Sequence, residues 1–120
     1  MDKNFLLIGS VAAFLAVGIG AFGAHGLRTR LSPDMLAVFE TGVRYHMYHA
    51  LALLMVGALM GRIEGRAIAA SGWLFLTGIV LFSGSLYALA LTGISILGAI
   101  TPLGGVAFLL GWALLAIAAL

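Results

Sequence analysis

Asn4 to Ala24 reads NFLLIGSVAAFLAVGIGAFGA, and no residue in it carries a charge. A helix rises about 1.5 Å per residue, so a run of this length reaches across the roughly 30 Å hydrocarbon core of a bilayer. It is too long for a barrel strand, which takes about 10 residues of alternating polarity. The run follows Lys3 and approaches its end through the small residues around Ala21-Phe22-Gly23, features shared with secretory signal peptides. Its apolar portion exceeds the roughly 7–15 residues of a signal-peptide core, so it reads as a retained span.

Working outward, three further apolar runs follow: Val43 to Met60, Ala67 to Leu91 and Ile94 to Leu120. With the first, at residues 4–24, they give spans at 43–60, 67–91 and 94–120 in one membrane domain of residues 1–120. The connections are Leu27–Thr41, the charged turn Gly61-Arg62-Ile63-Glu64-Gly65-Arg66, and an uncharged turn at Thr92-Gly93. The whole chain agrees: 63% of its 120 residues are hydrophobic, 8% are charged, and the mean hydropathy is +1.21. An ordinary soluble domain is about 25% charged, and a domain this small could not hide so much apolar surface from water. The expected fold is an all-α integral membrane protein, a four-transmembrane-helix bundle whose first partner is the lipid bilayer.

Ser32-Pro33-Asp34 has the form of a helix start, with Ser as cap, Pro in the first turn and Asp at the positive end of the dipole. Met35, Leu36, Val38 and Phe39 then supply an apolar face. This predicts a short interfacial helix between spans 1 and 2, either leading into span 2 or continuous with it. Pro102 removes a backbone donor within the fourth run and predicts a kink or break near Thr101-Pro102, eased by Gly104 and Gly105. Small residues mark close helix contacts in lipid. Ala12, Ala16, Gly20 and Ala24 form such a ladder, joined by Gly57 with Gly61, Gly84 with Ala88, and Ala107 with Gly111. These ladders exceed what one copy needs and predict a homo-oligomer.

Several functions are excluded. There is no cysteine, so no disulfide, thiolate metal site or cysteine nucleophile exists. The net charge of +2 forms no basic stripe, which argues against nucleic acid. No acidic residue lies inside a span, so a small proton-coupled exporter would lack its membrane carboxylate. Phosphate-loop and serine-hydrolase motifs are also missing, and the reading leans away from an enzyme. Lys3, Arg62 and Arg66 face one side and Arg28, Arg30 and Arg44 the other, so the positive-inside rule favours neither orientation.

Chemistry concentrates between His25 and His49. Glu40 and Arg44 are four apart, in the order that favours a helical ion pair. Tyr48 continues their stripe, Tyr45 and His49 lie on an adjacent face, and His46 lies further round. One reading is a polar pocket for a small polar or anionic solute, a lipid head group or a quinone ring, with Arg44 as anion clamp. Its candidate residues are His25, Glu40, Arg44, Tyr45, His49, Ser83, Ser85 and Tyr87, and it calls for no cofactor. A second uses His46 and His49, with His25, as metal or haem ligands. A third is structural: Arg44 bonds Glu40 and backbone carbonyls, the tyrosines belt the interface, and the histidines satisfy loop carbonyls. Ser83 and Ser85 in a span bond by default to their own helix or a neighbour. Trp73 fits an interfacial anchor and Trp112 a packed position.

Four motifs then occur in order: GAFGAHGL from Gly20, RYHMYHALALL from Arg44, LFSGSLY from Leu81 and GAITPLGGVAFLLGW from Gly98. On these the chain resembles the YgdD/YwdK-type family of small bacterial membrane proteins, domain-of-unknown-function family 423, over nearly its whole length. The resemblance implies a four-span inner-membrane protein with animal relatives and no assigned activity. It directs attention to His25, Arg44, Tyr45, His49, Ser83 to Tyr87 and Thr101-Pro102. The family often carries Gln at the position of His46, which weakens a paired-histidine ligand set. Two roles follow as alternatives: binding or permeation of a polar solute, or a structural or accessory subunit of a membrane complex. A haem- or metal-binding role ranks third.

Overall fold

The structure, a computed structural model describing all 120 residues, is entirely helical. Helix α1 spans Lys3–His25, α2 Pro33–Leu59 and α3 Arg66–Gly78. A π-helical segment, Ile79–Ser83, joins α3 to α4 (Gly84–Thr92). A 3₁₀ segment, Ser95–Ala99, precedes α5, Thr101–Ala118. The molecule measures 48 × 26 × 17 Å, its long axis matching the roughly 40–45 Å of a bilayer with head groups.

Helices α1 and α2 begin at side chains that cap them. Asp2 caps α1 by accepting from the Phe5 amide at 3.0 Å. Ser32 caps α2 through the Met35 amide at 3.2 Å, with Pro33 in the first turn and Asp34 beside it. Of the two forms expected for the segment between spans 1 and 2, a separate short helix is not found: it is continuous with α2, which runs unbroken for 27 residues. Nothing between Asp34 and Thr41 breaks a helix. A Cβ on Gly42 would press on the Tyr87 ring at 2.8 Å, so this glycine marks the crossing of α2 and α4. The expected break near Pro102 is present one step earlier, at Ile100, and Pro102 occupies the first turn of α5, where its missing N–H costs nothing.

Three helical stretches are long and apolar enough to cross a membrane: Lys3–His25, Arg66–Thr92 and Ser95–Ala118. The expectation of four is met only in part. Helix α2 has the length, but Arg44, Tyr45, His46, Tyr48 and His49 interrupt its apolar run.

Helix α1 packs chiefly on α2 and α3 on α5, while α2 also meets α3, the π segment and α4. The core lies between them, around Phe5, Leu53, Val56, Ile68, Phe75 and Phe108. A smaller cluster of Leu27, Phe39 and Ala90 seals the His25 end. Only 29 residues are buried, and Phe14, Val17, Leu103 and Leu109 are more than 60% exposed, an outer surface that suits lipid.

The small-residue ladders are partly realised. Ala12 and Ala16 are buried against α2, and Gly57 receives the backbone of α1 at Leu6, 3.0 Å from where its Cβ would stand. Gly111 accepts the Phe75 ring and Ala107 is buried. Ala24 is exposed, however, Gly61 serves a turn at φ +95, and a Cβ on Gly84 would meet nothing within 4 Å. Sequence spacing finds faces that could pack; register decides which of them do.

Candidate functional site

At the His25 end, the last turns of α1 lie close against the start of α2 because glycines on one side face bulk on the other. Gly23 lets the Phe39 ring lie against α1, and Gly20 faces Val43. Above these contacts a cavity of about 260 Å³ is lined by Gly20, Gly23, Ala24, Phe39, Glu40, Val43 and Arg44. A second, of about 390 Å³, adjoins it through Gly23, Ala24 and Glu40, and adds Arg28 and Leu36. Glu40 borders both.

The expected Glu40–Arg44 ion pair is not formed, a correction to the helical spacing argument. The Arg44 guanidinium donates to Thr41 Oγ1 at 3.3 Å instead, and Thr41 donates onward to the Ala37 carbonyl at 2.9 Å. Both charged side chains are exposed, where water competes and such a pair yields only about 0.3–0.5 kcal/mol. Arg44 therefore keeps most of its donors free for a ligand.

The other sequence-selected residues lie elsewhere. His25 is exposed at the end of α1 and lines neither cavity. His46, Ser83, Ser85 and Tyr87 form cross-links among α2, the π segment, α4 and α5. His46 Nδ1 lies 2.8 Å from the Tyr87 hydroxyl, and Ser83 donates to the Gly42 carbonyl at 2.7 Å. Ser85 Oγ lies 2.6 Å from Thr101 Oγ1 and donates to the Phe82 carbonyl at 2.9 Å. The π segment makes this possible. Its extra residue per turn rotates Ser83 to Tyr87 relative to α3, and π turns of this kind often mark functional or strained places.

His49 is buried, with Nδ1 2.7 Å from the Tyr45 carbonyl and Nε2 3.0 Å from the Trp112 indole nitrogen. A carbonyl only accepts and an indole N–H only donates, so the ring is the neutral tautomer protonated on Nδ1. Its face stacks on Phe108 at 3.5 Å between centroids, with 8° between the planes. Both nitrogens are spent, and nowhere do three His, Asp or Glu side chains come together in a metal-binding group. His25, His46 and His49 do not come together as a three-residue metal-binding group. Tyr45, packed on Phe82 at 4.8 Å, joins His49, Trp112 and Pro102 around an apolar crevice of about 410 Å³.

Of the eight candidates, Glu40 and Arg44 line a charged cleft, His49, Ser83, Ser85 and Tyr87 form cross-links, Tyr45 borders the apolar crevice, and His25 stands apart from all of these. The sequence reading missed Arg28, Gly20, Gly23 and Phe39 as cleft residues. The Gly20-x-x-Gly23 spacing was the available signal. It also missed Trp112 and Thr101 as partners, for which a single sequence offers no signal.

Residues 19–105 match the profile of a family described as protein of unknown function (DUF423). The chain is 55% identical over 118 residues to the UPF0382 membrane protein YwdK of Bacillus subtilis strain 168, covering 98% of this chain and 96% of that protein. A UPF0382 membrane protein of Staphylococcus epidermidis is 51% identical over 118 residues, covering 98% and 96%. One from Staphylococcus aureus, SAB0533, is 50% identical over 116 residues, covering 97% and 94%. No solved structure matches.

Proposed function

The chain belongs to the DUF423 family and is a multi-pass protein of the bacterial cytoplasmic membrane, and from that premise we propose that it binds an anionic group in the cleft between α1 and α2. The observation that carries this reading is the unpaired Arg44 guanidinium lining a cavity floored by small and apolar residues. Arg44 holds the anion, and Arg28 adds positive charge at the adjoining cavity. Binding is favoured over permeation because the interior is filled by Phe75, Leu53 and Val56, and no buried side-chain nitrogen or oxygen lacks a partner. His46, His49, Ser83, Ser85 and Tyr87 act in this reading as cross-links that hold the cleft's walls.

The same proposal takes the chain as one domain with α2 as a fourth span. Its 27 residues rise about 40 Å, and neighbouring helices bury His46 and His49 of its polar residues. It also takes the protein as a homo-oligomer, supported by Gly18 and Gly84, where a Cβ would meet nothing within one chain. Cross-linking in native membranes should trap a species larger than one chain; monomer alone would remove that part.

Thermal unfolding in mild detergent tests the cleft, with dihexanoyl phosphatidylglycerol and inorganic phosphate as probes. A ligand that binds only the folded state raises the midpoint. At least one probe should raise it for the natural protein and neither should for Arg44→Gln. An equal rise in both proteins would reject Arg44 as the anion's partner.

A further inference from the structure

The cleft's charges alternate in sign, and that pattern names a ligand class. Arg44 lines one cavity, Arg28 the other, and Glu40 stands on the wall they share. None of the three pairs with another; the single bond among them and their neighbours is the 3.3 Å contact from Arg44 to Thr41. A site for a simple anion gains nothing from Glu40, whose carboxylate repels the charge that Arg44 attracts. Retaining an unpaired carboxylate beside an unpaired guanidinium suits a ligand that carries both signs a few atoms apart.

The height of the cleft supplies the second observation. Gly20, Gly23 and Ala24 end the uncharged run of α1, so the cleft sits where hydrocarbon gives way to head groups. Its floor is apolar, formed by Val43 and Phe39, and the α1 face leading to it exposes Val17 and Ala21 to lipid. A molecule seated there can keep acyl chains in the bilayer while its charged end enters the cleft.

Resting on the reading of the cleft as an anion site, we infer that its occupant is the head group of an aminophospholipid, with the phosphodiester on Arg44 and the primary ammonium on Glu40. An ammonium with three N–H donors gives a carboxylate charge-assisted hydrogen bonds. A quaternary ammonium has none and is usually recognised by a cage of aromatic rings, whereas this cleft offers Phe39 alone. Arg28 meets a further carboxylate where the head group carries one, as phosphatidylserine does.

Native mass spectrometry of the full chain, purified and offered an equimolar mixture of dioleoyl phosphatidylethanolamine, phosphatidylserine, phosphatidylcholine and phosphatidylglycerol, tests the inference. The two aminophospholipids should be retained at least about tenfold over the other two, the factor expected from one charge-assisted hydrogen bond. Glu40→Gln should erase that preference, and Arg44→Gln should lower retention of all four. If phosphatidylglycerol binds as well as phosphatidylethanolamine, and only Arg44→Gln weakens binding, the anion site survives and the ammonium assignment is overturned. If Arg44→Gln changes nothing, both readings fail. If water-soluble glycerophosphoethanolamine displaces the lipid at equal concentration, the ligand is a soluble zwitterion and the lipid assignment is wrong.

Discussion

Gly104→Ala is expected to destabilise the bundle by about 3 kcal/mol, the upper end of the usual range for overpacking a filled interior. A Cβ on Gly104 would stand 2.7 Å from both Cα and Cβ of Phe82 and still nearer its amide nitrogen. A flexible side chain could swing away from such a collision, but the amide nitrogen and Cα are main-chain atoms of the π segment, held on either side by α3 and α4. Relief requires α5 to move outward, and that opens the contact of Phe108 with Phe82 and His49. The neighbouring position supplies the control. At Gly105 the nearest atom to a new Cβ is Phe82 Cδ2 at 3.9 Å, an ordinary contact. Gly105→Ala should therefore be neutral or stabilise by up to about 1 kcal/mol through helix propensity. Unfolding by SDS titration in mixed micelles, followed by circular dichroism, measures both. Equal stability of the two variants would mean that α5 does not lie against the π segment as described.

That contrast between adjacent glycines also shows where a sequence stops being readable. Length and absence of charge sufficed for α1, and the Ser32-Pro33-Asp34 cap pattern and Pro102 sufficed for the start of α2 and the break before α5, because all of these are local signals. Contacts between spans depend on how each helix is rotated, which no local pattern states. The π segment is the clearest case. Leu81-Phe82-Ser83 looks like ordinary helix, yet one widened turn rotates the remainder and brings Ser83 to Gly42 and Ser85 to Thr101. The Glu40–Arg44 spacing misled for a related reason. It describes what an isolated helix face would do, whereas here both side chains border a cavity that α1 creates. Of the proposed pocket, the cleft half was legible because Arg44 and Glu40 are rare charges near an apolar run. The histidine half was not, because Trp112 is far from His49 in sequence.

The Trp112–His49 contact carries the second large effect. Trp112→Phe keeps most of the aromatic bulk but removes the N–H that serves His49 Nε2 at 3.0 Å. His49 cannot turn to another partner, since its other nitrogen is held by the Tyr45 carbonyl and its ring is stacked on Phe108. A buried acceptor left without a donor costs about 1–3 kcal/mol, while hydrogen bonds between membrane helices average only about 0.6 kcal/mol because the unfolded chain in the membrane finds partners too. Burial decides between these figures: His49 is 4% exposed, and no alternative donor is within reach, so a loss of about 2 kcal/mol is expected. The reverse change is asymmetric. Trp112 is 42% exposed, so after His49→Leu its indole N–H is not sealed in the core as the His49 acceptor is. In a double-mutant cycle, Trp112→Phe with His49→Leu should therefore cost less than the sum of the two single changes, by about 1 kcal/mol or more. Strict additivity would show that the bond contributes nothing. The two helices would then be joined there by ring packing alone.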